Sequence, residues 1–203
     1  MADVTTFFFD IGGVILTNGW DRNSRREGAK KFNLDWEEFE DRHALVVDDF
    51  ELGRLPLEEY LRRTVFYRAR AFSQDEFKAF MYDQSKPNPE VLSIVQVLAD
   101  SKKYLMTTLN NESLELNAFR IKKFNLREYF SVFLSSCSLG QKKPDSSIYK
   151  TALNVTQRAA EECLYIDERE LNVECATRCG MRSICFENPE QLKSELLQNG
   201  III

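Results

Sequence analysis

Residues 7–13, FFFDIGG, end an apolar run on a single carboxylate, Asp10, followed at once by two glycines. A buried strand over residues 4–9 delivers that carboxylate to the carboxyl edge of a sheet, where open α/β folds bind their ligands. Gly12 and Gly13 permit unusual backbone angles and let main-chain amides approach an anion closely. An aspartate after a strand also serves as a turn residue, so the chemistry of Asp10 depends on partners elsewhere in the chain.

Three later segments supply candidates. Residues 104–111, YLMTTLNN, end an apolar run in hydroxyl and amide side chains. Residues 139–145, LGQKKPD, set a lysine pair before a proline, and residues 164–168, LYIDE, end another run in two adjacent acids. Between these runs the periodicity is helical: Val91, Ile94, Val95 and Leu98 share one face, as do Leu114, Ala118 and Ile121. Strands are expected over 104–108, 130–134, 164–166 and 183–186, and helices over 146–153 and 171–179, the latter closed by Gly180. Such alternation implies right-handed crossovers and an α/β fold, a Rossmann-like, doubly wound parallel sheet covered on both faces.

The segment between Asn18 and Ser85 carries no strand pattern. Trp36, Phe39, His43 and Phe50 recur at helical spacing behind Asp35, a candidate N-cap, and Gly53 stops that helix. Pro56 suits the first turn of a second helix, and Ser73 to Glu76 has capping-box spacing for a third. The expected organisation is a core of residues 1–17 and 86–203 interrupted by an all-helical insertion over 18–85. Its junctions, Asn18-Gly19 and Ser85-Lys86-Pro87, suit a hinge.

In order and spacing, Asp10, the Thr107 to Asn111 segment, Lys143 and Asp167-Glu168 resemble the four motifs of the haloacid dehalogenase superfamily. The resemblance covers essentially the whole chain, near the helical-cap branch that includes small sugar-phosphate phosphatases and the phosphatase domain of epoxide hydrolase. It implies Asp10 as nucleophile, Lys143 as the charge that neutralises a transferring phosphoryl group, and a Mg²⁺ ion held by Asp10, the Gly12 carbonyl and Glu168. Oxygen donors of this kind suit that hard cation. Asp167 then orients water or Lys143, and Asn172, one helical turn beyond Glu168, supports the site. In the second motif two registers are open. Thr108 is preferred as the phosphate-binding hydroxyl because a phosphate site should keep its hydroxyl donor. Alternatively Asn110 takes the family's asparagine place and Leu109 replaces the hydroxyl residue. Phosphate contacts are expected from Gly12, Gly13, Leu109 and Asn110.

Two departures stand out. Glu168 replaces the usual aspartate, adding a methylene, and Gly12 stands where most phosphatases of the family carry a second aspartate as general acid. General acid-base catalysis contributes about 10²- to 10⁴-fold, so a phosphatase lacking that acid is expected to be slow, and Gly12→Asp is expected to restore turnover of poor leaving groups. The first reading is a Mg²⁺-dependent hydrolase of small phosphate monoesters, with a sugar phosphate as the candidate substrate. One alternative is a catalytically weak regulatory module that binds a phosphorylated metabolite or a protein partner; another is a 2-haloacid dehalogenase, whose halide leaves without protonation. His43, on the apolar stripe, reads as a packed histidine, and Arg22, Arg25 and Arg26 as a solvated helix face from which one could reach a substrate anion.

At 203 residues and 43% hydrophobic content the chain can bury one good core and a small accessory domain. A formal net charge of −5 argues against nucleic-acid or anionic-membrane partners, since phosphate backbones demand a basic footprint. With Asp3 in place of early basic residues and no long apolar run, the expected location is the cytoplasm. The five cysteines form no Cys-x-x-Cys pair and are expected to be reduced thiols rather than zinc ligands. Neither substrate identity nor oligomeric state is readable.

Overall fold

The computed structural model describes residues 2–202. Strands β1 (Thr6–Phe9), β2 (Leu105–Asn110), β3 (Val132–Ser135), β4 (Cys163–Asp167) and β5 (Arg182–Cys185) form one sheet in the order β3-β2-β1-β4-β5. All four neighbouring pairs are parallel. The chain runs outward from β1 through β2 to β3, then crosses back to lay β4 and β5 on the other side. The carboxyl ends of β1 and β4 therefore meet where the strand order reverses, the crevice position favoured for ligands in such sheets. Phe9 pairs with Ile166, so Asp10 and Asp167, the next residues, stand side by side at that edge.

The three phenylalanines explain why β1 is central. Phe7 and Phe9 enter one core with Val91, Ile94 and Val95 of α5 (Pro89–Asp100), Ile121 of α6 (Leu114–Lys123) and Leu192 of α10 (Pro189–Gln198). Phe8 enters the opposite core with Ile148, Tyr149 and Ala152 of α8 (Ser146–Thr156) and Ala176 of α9 (Glu170–Arg178). All three are fully buried, each worth about 1.5–3 kcal/mol in transfer free energy. The short helix α7 (Ser136–Leu139) follows β3 directly. At the C-terminus Ile201 joins the first core while Ile202 is exposed; Ile203 lies outside the described residues.

Four helices, α1 (Arg22–Lys31), α2 (Trp36–Glu51), α3 (Leu57–Thr64) and α4 (Gln74–Asp83), are inserted between β1 and α5. Asp35 caps α2 by accepting from the Glu38 N–H, and Ser73 and Glu76 form a reciprocal capping box on α4. Pro56 stands at the N-cap of α3, one place before its first turn. The insertion has its own core of Trp20, Phe39, Phe50, Tyr60, Leu61, Phe77 and Met81, joined by Leu116 from α6. The sequence reads helix α1 only as a solvated face of Arg22, Arg25 and Arg26, whereas the structure buries Arg25, and the reason is physical. Its buried face is Arg25, Gly28 and Ala29, which leaves no apolar stripe, and Gly28 is small because a Cβ there would stand 3.0 Å from the Phe80 ring.

Candidate active site

The crevice at the β1–β4 edge opens into a cavity of about 510 Å³, within the range of small-molecule sites. Its floor includes Asp10, Gly12, Asn111, Lys143, Glu168 and Asn172, and its opposite wall Trp20, Arg22, Arg25 and His43 from the inserted segment. Asp10 Oδ1 accepts from the Ile11 N–H at 2.8 Å and lies 3.1 Å from Lys143 Nζ. Oδ2 has no hydrogen-bond partner among the described residues. Burial, reinforced by the charges of Asp167 and Glu168, raises the Asp10 carboxyl well above its ordinary value despite Lys143.

Asp167 is the opposite case. It is fully buried, accepts from Lys143 Nζ at 2.6 Å, from the Arg169 N–H at 2.8 Å, and from Asn172 Nδ2 on both oxygens at 3.0 Å. The Tyr165 hydroxyl donates to it as well. Burial pushes its carboxyl up, but Lys143 and these donors outweigh that and hold it below the ordinary range. A carboxylate so completely satisfied keeps its charge and pins the lysine beside Asp10. Lys143 is itself anchored through its backbone: its N–H donates to Asn111 Oδ1 and its carbonyl accepts from Asn111 Nδ2, both at 2.9 Å. Lys142, by contrast, points to the insertion, where it pairs with Asp48 and, at 3.2 Å, with Glu51.

The donor set fits a hard divalent cation. Oxygens of Asp10, Asp167 and Glu168 lie within 4.8 Å of one another, three carboxylates against one lysine. Glu168 Oε2 is buried without a hydrogen-bond partner, a costly arrangement unless a cation or donor completes it. The extra methylene of Glu168 is accommodated against Gly13, where a Cβ would come within 2.6 Å of Glu168 Cδ; Gly13 lies under that carboxylate at φ +75° rather than lining the cavity.

The second motif is not arranged as the sequence suggested. Thr108 pairs with Phe9, one residue short of the level of Asp10, and its hydroxyl is buried without a partner. Leu109 is fully buried in the core beside Phe8 and Ile148. The Asn110 amide donates to Asn117 Oδ1 at 3.3 Å and its oxygen accepts from Ser135 Oγ at 2.9 Å. None of these three lines the cavity; Asn111 and Glu112, the next residues, do. The strand runs two residues further than the apolar run alone indicates, which carries Thr108 below the edge.

Sequence reasoning also missed Arg120. Its guanidinium is buried, donating from Nε to Ser85 Oγ at 3.0 Å and from Nη2 to the Asn18 carbonyl at 2.9 Å, and pairing through Nη1 with Glu112 Oε2 at 2.9 Å. One side chain of α6 thus ties both junctions of the insertion to the loop after β2. Gly19 exists to admit it, since a Cβ there would overlap Nη2. On a polar helix at sequence level it looks like any surface arginine; only the two distant junctions reveal it.

The family model for haloacid dehalogenase-like hydrolases matches residues 4–180. Flavin mononucleotide hydrolase 1 of Arabidopsis thaliana is 30% identical over 169 residues, covering 79% of the chain and 64% of that protein. Phosphoglycolate phosphatase of Aquifex aeolicus is 24% identical over 99 residues, covering 49% of the chain and 46% of the enzyme. The chain thus spans less than two thirds of either curated relative. A HAD family enzyme from Bacteroides thetaiotaomicron superposes with a TM-score of 0.79 at 21% identity, covering 92% of this chain and 95% of the other; it has also been crystallised with magnesium and inorganic phosphate. The chain belongs to the haloacid dehalogenase-like hydrolases.

Proposed function

We propose that the chain is a Mg²⁺-dependent phosphatase of small, polar phosphate monoesters, working through an aspartyl-phosphate on Asp10. The observation that carries this reading is the pairing of Asp10 with Lys143 beside the clustered carboxylates of Asp167 and Glu168. Asp10, Glu168 and the Gly12 carbonyl would hold the Mg²⁺, which when bound offsets the negative charge between carboxylate and phosphate. Lys143 neutralises the transferring group. Oδ2 of Asp10, the oxygen without a partner, attacks phosphorus; the ester P–O bond breaks and its electron pair leaves with the alcohol oxygen. Asp167 keeps Lys143 in place, and Asn172 keeps Asp167 in place. Gly12 supplies no proton to the leaving oxygen, so water or the substrate provides it, and the rate suffers accordingly. Water then cleaves the acyl-phosphate to return Asp10 and release phosphate. The carboxylate cluster and the orphaned Glu168 oxygen favour this reading over metal-free halide displacement, and the maintained nucleophile favours it over a binding module.

The inserted helices act as a cap, residues 18–85, whose wall selects the alcohol portion of the substrate. That wall is largely polar, which favours hydroxylated leaving groups over an extended flat ring. Five unpaired cysteines favour a reducing compartment such as the cytoplasm; among the described residues, no helix is long and apolar enough to cross a membrane. The test is a phosphatase screen over a metabolite panel with and without Mg²⁺, with Asp10→Asn as the blank. Activity that survives both EDTA and Asp10→Asn overturns the reading.

A further inference from the structure

The cap carries a second built feature of the cavity that the phosphoryl-transfer machinery does not use. His43, the only histidine of the chain, lies on α2, is only 7% exposed, and lines the cavity. Its Nδ1 is 2.9 Å from the Tyr60 hydroxyl, and Trp20 Nε1 lies 2.9 Å from the same oxygen. The direction of this chain follows from donor chemistry. An indole N–H can only donate, so Tyr60 accepts from Trp20. Tyr60 is fully buried and its hydroxyl has no other partner among the described residues. Its own proton must then go to His43 Nδ1, because a buried O–H left without an acceptor costs about 1–3 kcal/mol. Nδ1 is thereby an acceptor, and the imidazole proton resides on Nε2.

We propose that His43 is a specificity-determining residue that presents a fixed, uncharged Nε2–H to the cavity as donor to a hydroxyl or carbonyl oxygen in the alcohol portion of the substrate. Nε2 makes no hydrogen bond within the described chain, yet is not among its sealed, unpartnered atoms. The surroundings keep the ring neutral: burial and the neighbouring Arg25 lower its pKa to about 3. Arg25 is not a free cation either, since Glu40 pairs with it at 2.5 Å and the Trp20 carbonyl accepts from it at 3.0 Å. A neutral donor beside a compensated arginine suits a neutral oxygen better than a second anionic group. The inference rests on the phosphatase reading for its substrate but not for its tautomer.

Because there is one histidine, nitrogen-15 NMR of histidine-labelled protein reads the tautomer without assignment. The expected result is a neutral Nε2–H ring from pH 5 to 8 that becomes a tautomer mixture in Tyr60→Phe, which keeps the stacking on Phe50. An Nδ1–H ring, or a spectrum unmoved by Tyr60→Phe, overturns the relay. The recognition step is tested by calorimetry in an Asp10→Asn background with Mg²⁺, comparing ribose 5-phosphate with phenyl phosphate. His43→Phe should weaken ribose 5-phosphate binding roughly 3- to 10-fold, the worth of one neutral hydrogen bond, and spare phenyl phosphate. His43→Gln, which can place an amide N–H near the Nε2 position, should restore most of it and guards against misfolding of the phenylalanine variant. Equal effects on both esters overturn the specificity role. If wild-type protein hydrolyses neither ester nor any of the panel, the phosphatase reading fails while the tautomer result stands.

Discussion

Asn111 and Lys143 hold each other by two backbone-directed hydrogen bonds, the amide of one side chain spanning the N–H and C=O of the other residue at 2.9 Å each. The loop after β2 thereby sets the position of the lysine that faces Asp10. Replacing Asn111 with alanine should leave both backbone groups in need of partners, at a cost of about 1–3 kcal/mol, and should let the lysine backbone drift. Expected outcomes are a lower midpoint in urea and a fall of kcat by about tenfold or more, since small misplacements of positioning groups cost that much. Unchanged kcat with lowered stability would restrict Asn111 to a structural role.

The raised Asp10 carboxyl has a stability consequence with a definite sign. Its pKa in the folded state lies above the ordinary value of 3.8, so its favourable contribution is complete below that value and is lost as pH rises through the folded pKa. At neutral pH and without metal Asp10 therefore opposes folding, whichever protonation state it holds there. Asp10→Asn should melt higher than the wild type in EDTA at pH 7, with the gap narrowing toward pH 4. Added Mg²⁺ should raise the wild-type melting temperature more than that of the variant, because ligand binding stabilises by mass action. Equal Mg²⁺ shifts in both proteins would remove Asp10 from the metal site.

How legible was all this in the sequence? Phe7 to Phe9 announced the central strand because both faces of a covered parallel sheet demand apolar residues, and Asp35 and Ser73 announced helix starts because their side chains satisfy amides the helix cannot. Asp10, Lys143 and Glu168 could be singled out as candidates because each ends a run or sits in a distinctive loop, and the structure brings them to one edge. Thr108 was misplaced because strand length, not chemistry, decides which residue reaches the edge. Arg120 and the Trp20–Tyr60–His43 relay were invisible, since both depend on contacts between residues far apart in the chain, up to 102 positions, through groups that individually look like surface charge or core aromatics.

Gly13 offers a local test of the proposed metal site. At φ +75° a side chain is strained, by about 1–2 kcal/mol from the backbone alone, and the added Cβ would collide with Glu168 Cδ at 2.6 Å. Gly13→Ala should therefore displace the Glu168 carboxylate and weaken Mg²⁺ activation at least tenfold in the metal concentration required. A variant that loses stability but keeps its Mg²⁺ dependence would show that Glu168 is not a ligand.

Gly12→Asp looks from sequence like the repair of a missing acid, but Arg120 changes that expectation. A Cβ at position 12 would stand 3.2 Å from Asn18 Oδ1 and 3.6 Å from Arg120 Nη1, so a new carboxylate there meets a guanidinium before it meets a leaving group. An adjacent arginine favours the ionised form of a carboxyl, which is the wrong protonation state for a general acid. The new charge would also compete with Glu112 for Arg120 and so disturb the tie to the two junctions of the inserted helices. Turnover of an alkyl phosphate by Gly12→Asp should therefore gain far less than the ~10²-fold lower end of general acid catalysis, with no preference over an aryl phosphate, whose leaving group needs little protonation. Steady-state kinetics on the two esters decide the matter. A selective gain approaching ~10²-fold on the alkyl ester would mean that Arg120 leaves the new acid protonated, and that only the missing carboxyl limits the rate.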